Sequence, residues 1–103
     1  MELIETSTFT KQINALLNDE EYSGFQLRLA ANPGLGALIR GGGGIRKIRV
    51  AVGSRGKSGG ARVIYFLEGH HTIWLLIVYK KAKFDNLPTE FLTQLKKAVE
   101  DAL

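Results

Sequence analysis

Residues 62–79 read Arg-Val-Ile-Tyr-Phe-Leu-Glu-Gly-His-His-Thr-Ile-Trp-Leu-Leu-Ile-Val-Tyr. Two runs rich in β-branched and aromatic residues, 62–67 and 72–79, flank the short polar stretch 68–71, which is the pattern of a β-hairpin. The second run is apolar without interruption from Ile73 to Val78, as expected of a central strand covered on both faces. Immediately upstream, residues 45–52 form a third strand candidate. There Ile48 and Val50 fall on one face while Lys47 and Arg49 fall on the other, because successive strand side chains alternate.

Working outward, residues 3–6 are a short strand candidate. Ser7 or Thr8 is placed to cap a helix whose Phe9, Ile13, Leu16 and Leu17 recur at helical spacing. A second helix is expected from Asp19 as N-cap, with Glu20 and Glu21 in the first turn and Tyr22, Phe25 and Leu29 on one side, ending at Asn32-Pro33-Gly34. Residues 35–44 dissolve into four glycines and receive no regular element. Residues 80–86 are basic and then turn-like. Pro88 suits a first helical turn, and Phe91, Leu92, Leu95, Ala98 and Val99 give a closing amphipathic helix. The expectation is one α+β domain over residues 1–103, ordered β-α-α-β-β-β-α, with a mostly antiparallel sheet, a helical hairpin and a C-terminal helix.

The chain has no cysteine, which removes disulfide frameworks and Cys-based zinc sites. It has no apolar run of the roughly 18 residues that span a bilayer, and its acidic N-terminus does not read as a signal peptide, so a cytoplasmic location is expected. The formal charge of +4 conceals an asymmetry. Residues 40–83 carry ten Lys or Arg against a single acid, Glu68, while the remainder carries four basic and nine acidic residues. Eight of the twelve glycines fall in residues 41–60, interleaved with Arg46, Lys47, Arg49, Arg55 and Lys57. Glycine and positive charge in one segment suit close approach of backbone to a polyanion, whose counterions are released on binding. A solvated basic surface is the plain alternative.

Gly56-Lys57-Ser58 resembles the end of a phosphate-binding P-loop, but the first glycine of that pattern would fall on Ala51 and the segment that follows reads as a strand. His70 and His71 are adjacent, point apart, and have no further His or Cys with which to bind a metal, so no metal and no cofactor are expected. Tyr65, Phe66 and Trp74 read as core. Tyr79, next to Lys80, Lys81 and Lys83, and Phe84 after them are candidates to stack a base or reach a phosphate. The cation cluster fits phosphoryl transfer, in which positive groups stabilise charge on the phosphorus centre and the departing oxygen, with like-charge crowding lowering the pKa of Lys57 or a neighbour. It fits phosphate binding without chemistry equally well.

The runs Gly-Gly-Ile-Arg-Lys-Ile-Arg-Val (43–50), Gly-Lys-Ser-Gly-Gly-Ala-Arg-Val-Ile-Tyr (56–65) and Leu-Leu-Ile-Val-Tyr-Lys-Lys (75–81) closely resemble the RelE/HigB-like toxins of bacterial type II toxin–antitoxin modules. The likeness extends over essentially the whole chain. It implies a RelE-like fold and a ribosome-dependent endoribonuclease that enters the ribosomal A site and cuts mRNA, the 2′-hydroxyl of the RNA serving as nucleophile. The clustering of charge in residues 40–83 gives an RNA-binding set of Arg46, Arg49, Arg55, Lys80 and Lys83, and the likeness, which also points to Arg49, implies a catalytic set of Lys47, Lys57, Arg62, Tyr79 and Lys81. In that set Arg62 would stabilise the transition-state phosphate, Lys57 or Lys47 would act as base or electrostatic activator, and Lys81 would help the leaving oxygen. Some members place His or Glu at these positions; this chain looks like an all-cationic variant. The partners implied are a cognate antitoxin, the ribosome with its rRNA, and mRNA, with operator DNA reached only through the antitoxin complex and no membrane involved. A non-catalytic RNA- or DNA-binding module is the alternative from another functional class, and a decayed relative kept as a binding partner is a third.

Overall fold

The computed structural model describes residues 1–52, 60–81 and 87–102. Among these the order is β1 (Glu2–Glu5), α1 (Ser7–Leu16), α2 (Asp19–Ala31), β2 (Ala37–Leu38), β3 (Ile45–Val50), β4 (Ala61–Glu68), β5 (Thr72–Lys80) and α3 (Thr89–Ala102). The α+β class and every expected element are present, and β2 is added in the stretch left without one. The five strands form one sheet in the order β1-β5-β4-β3-β2. All neighbouring pairs are antiparallel except β1 with β5, which is parallel.

The helix caps sit one residue earlier than the sequence suggests. Thr6, rather than Ser7 or Thr8, accepts from the Phe9 amide at 3.0 Å, and its hydroxyl also donates to the Leu76 carbonyl at 2.7 Å, which fastens the start of α1 to β5. Asn18, rather than Asp19, caps α2 through a capping box with Glu21, leaving Asp19 in the first turn where the helix dipole favours an acid. The Asn18 side-chain oxygen accepts from the Glu21 amide at 2.7 Å, and the Asn18 backbone N–H donates to the Glu21 carboxylate at 3.0 Å.

Each face of the sheet has its own apolar layer. Phe9, Ile13, Leu17, Phe25 and Leu29 of the helical hairpin pack on Ile48, Val50, Ala61, Val63, Tyr65, Ile73, Leu75 and Val78. Leu92 and Val99 of α3 pack on Ile45, Ile64, Leu76, Ile77 and Tyr79 from the opposite side. This explains why residues 73–78 are apolar throughout: β5 lies inside the sheet and is covered twice. Between Ile64 and Tyr65 the β4–β5 register slips, Tyr65 standing opposite Leu75 and Ile64 opposite Ile77, so that Leu76 is an extra, bulged residue.

The glycine run that the sequence associates with phosphate approach has another use over residues 41–44. Gly41, Gly43 and Gly44 have φ of 77°, 65° and 101°, and they form the turn from β2 to β3, closed by Ile39 N–H to Ile45 O at 2.9 Å. Lys96 of α3 holds this turn by donating to the Gly43 carbonyl while lying 4.3 Å from the centre of the Phe66 ring. His70 and His71 lie in the exposed turn between β4 and β5, and Glu68 accepts from the Trp74 indole at 3.2 Å. No helix among the described residues is long and apolar enough to cross a membrane.

Candidate active site

The strand register assembles the site. Arg49 of β3 stands opposite Arg62 of β4, and Arg62 stands opposite Tyr79 of β5. Directly opposed residues share a face, so the three side chains form one row across the sheet, spanning two interstrand gaps of roughly 5 Å each. Lys47 lies two residues along β3 on the same face, and Lys81 directly follows β5. All five line a cleft of about 490 Å³ on the face that α3 covers only in part. Its outer wall is residues 35–37. An adjoining hollow of about 410 Å³ shares Lys47 and Tyr79 and extends past Arg40 to Leu87.

Arg62 is the unusual member. Only 7% of it is exposed, and its Nη1 donates to the Ala61 carbonyl at 3.2 Å, leaving the guanidinium fixed at the floor of the cleft. Burying a cation is costly unless it is paired, and no acidic residue is among the described residues lining this cleft. Tyr79 is also buried, 5% exposed. Burial raises the pKa of its phenol above the ordinary value, while the positive charge of Arg62 partly offsets this. At neutral pH the Tyr79 phenol is therefore protonated.

Other residues in the expected set lie elsewhere. Arg46 has the parity of Ile48 and Val50, so it projects to the helical-hairpin face, where its Nη1 donates to the carbonyls of Gly36 at 2.7 Å and Gly34 at 3.3 Å. Lys80 has the parity of Val78 and stands opposite Ala61; it lines an apolar groove of about 830 Å³ with Thr8 and Gln12 of α1. Arg55, Lys57, Lys83 and Phe84 fall outside the described residues. Sequence reasoning missed the wall, residues 35–37, because a two-residue strand leaves no periodic pattern.

Beyond the geometry, a family model described as the RelE toxin of the RelE/RelB toxin–antitoxin system matches residues 5–103, nearly the whole chain. The chain belongs to the RelE toxin family. It is the toxin component of a toxin–antitoxin pair, with an antitoxin as its partner. In this RelE toxin the matched region includes every residue of the cationic row and the wall that faces it.

Proposed function

We propose that this toxin is a ribosome-dependent endoribonuclease that cuts mRNA in the ribosomal A site. The observation that carries the reading is the row Arg49–Arg62–Tyr79, joined by Lys47 and Lys81 in a cleft whose described lining has no acid. The 2′-oxygen of one nucleotide attacks the adjacent phosphorus, the bond from phosphorus to the 5′-oxygen breaks, and a 2′,3′-cyclic phosphate and a 5′-hydroxyl result. The RNA supplies its own nucleophile, so the protein's task is to stabilise charge and direct protons. DNA lacks the 2′-hydroxyl and is not a substrate.

Arg62 neutralises the non-bridging phosphate oxygens as negative charge builds on them. Its fixed guanidinium needs no reorganisation at that moment. Lys47, with Lys57, activates the 2′-hydroxyl. The Tyr79 phenol, kept protonated by burial, and Lys81 serve the departing 5′-oxygen. Arg49, exposed at the end of the row, holds the RNA backbone.

Primer extension on a defined mRNA, with and without ribosomes, tests the reading. Cuts that appear only with ribosomes and vanish in Arg62→Ala together with Lys57→Ala support it. Salt-dependent RNA binding with no cut product under either condition rejects it in favour of a non-catalytic binding module. In cells, expression without antitoxin is expected to arrest growth, and the same double variant is expected to lift the arrest.

A further inference from the structure

We propose that Tyr65 and Arg46 are positioning residues of this site: acting from the opposite face of the sheet, they hold residues 33–36 and so set the outer wall of the cleft. The inference rests on the cleft being the RNA site. Tyr65 and Arg46 are direct cross-strand partners on β4 and β3, both on the helical-hairpin face. The fully buried Tyr65 hydroxyl donates to the Pro33 carbonyl at 2.7 Å and accepts from the Gly36 amide at 2.9 Å. Arg46 adds the bonds to the Gly34 and Gly36 carbonyls, so both backbone groups of Gly36 are held.

The fit around Gly36 leaves no slack. A Cβ there would lie 2.7 Å from Tyr65 Cε1, 2.8 Å from its hydroxyl oxygen and 3.0 Å from the Lys47 carbonyl, so only glycine lets the segment seat against both. The next residue, Ala37, pairs with Lys47, and residues 35–37 face Arg49 and Arg62 across the cleft. A two-residue edge strand cannot fix its own position. The clamp therefore sets the distance between wall and cations, and displacements near 1 Å at a reacting centre cost on the order of a hundredfold in rate.

The test compares Tyr65→Phe, Arg46→Met, Arg46→Lys and Arg49→Met with the unaltered toxin, at a temperature where circular dichroism shows all of them folded. On mRNA-programmed ribosomes, Tyr65→Phe and Arg46→Met are expected to lower kcat by on the order of tenfold, with KM changed less. Arg46→Lys, still able to reach one carbonyl, recovers part of the loss. In binding to a short single-stranded RNA, Arg49→Met reduces the salt dependence by about one phosphate contact, whereas Arg46→Met leaves it unchanged. Wild-type kcat in Tyr65→Phe, or a reduced salt dependence in Arg46→Met, overturns the proposal. A readout independent of cleavage is hydrogen exchange at the Gly36 amide, which is expected to speed up on the order of tenfold in Tyr65→Phe. Unchanged exchange rejects the clamp even if the toxin cuts no RNA, while faster exchange in a toxin that cuts nothing rejects only the ribonuclease reading.

Discussion

The two faces of the sheet draw on the same strands and end in different states. On the helical-hairpin face the apolar layer runs the length of the strands, from Leu75 to Val50, and the polar groups at its margin bond to one another: Tyr22 and Thr10 both donate to the Glu5 carboxylate. On the other face α3 packs over Ile45, Ile64 and Ile77, and beyond them lies the row Arg49–Arg62–Tyr79. β3 sends cations to both sides. Arg46 donates through Nη1 to the backbone carbonyls of Gly34 and Gly36, whereas Lys47 and Arg49 meet an open cleft. A single step of strand parity separates a residue that bonds the protein's own backbone from one that faces the cleft.

The comparison breaks most readily in the cores. Phe9→Ala, in the closed face, is expected to cost about 3–5 kcal/mol in urea unfolding, and Leu92→Ala under α3 about 2–5 kcal/mol. If the α3 variant proves the more damaging, the partly covered face is the one that holds the fold. Next in size, Arg62→Ala is expected to lower the cleavage rate about 10²- to 10³-fold, or roughly 2.7–4 kcal/mol of transition-state stabilisation, with the melting temperature preserved or raised because a buried cation with no acid among the described residues of its cleft is removed. Cleavage at the wild-type rate would remove Arg62 from the site. A smaller effect is expected from Lys80→Ala, which lies on the wrong face to reach the cleft: cleavage within about twofold of wild type, against a clear loss in Lys81→Ala.

The smallest effect concerns alkaline pH. Burial raises the phenol pKa of Tyr22, Tyr65 and Tyr79, and for Tyr22 the Glu5 carboxylate adds to the rise. A pKa raised in the folded state means that stability is fully present below about pH 10, the unfolded value, and declines as pH climbs through the folded values. Denaturant midpoints between pH 8 and 11 are expected to fall above pH 10, and less steeply in Tyr22→Phe. Equal slopes would show that the hairpin phenol ionises as freely as one in the unfolded chain.

The elements of the fold were legible because each leaves a local mark: helical spacing in 9–17 and 91–99, β-branched runs in 45–50 and 61–80, and capping residues within one position of their sites. The five cleft residues were legible too, by likeness to a family and, for Lys47 and Arg49, by alternation along a strand. Alternation also turns Arg46 and Lys80 away from this cleft, although composition groups them with the others. The wall was hidden because its position comes from Tyr65, nearly thirty residues downstream in sequence. The parallel pairing of β1 with β5 was equally hidden, since nothing within residues 2–5 specifies a partner seventy residues away.

The bulge at Leu76 works as a frame correction. Were β4 and β5 paired without the extra residue from Tyr65 and Leu75 onward, Val78 would stand opposite Arg62, and Tyr79 would stand opposite Ala61, on the helical-hairpin face. A β5 one residue shorter, lacking Leu76, would reach the present alignment with no irregularity at all. The bulge thus absorbs a surplus residue in mid-strand and keeps the toxin's phenol beside Arg62; ironing it out while Leu76 stays in the strand would misalign the pair with every side chain in the cleft left intact.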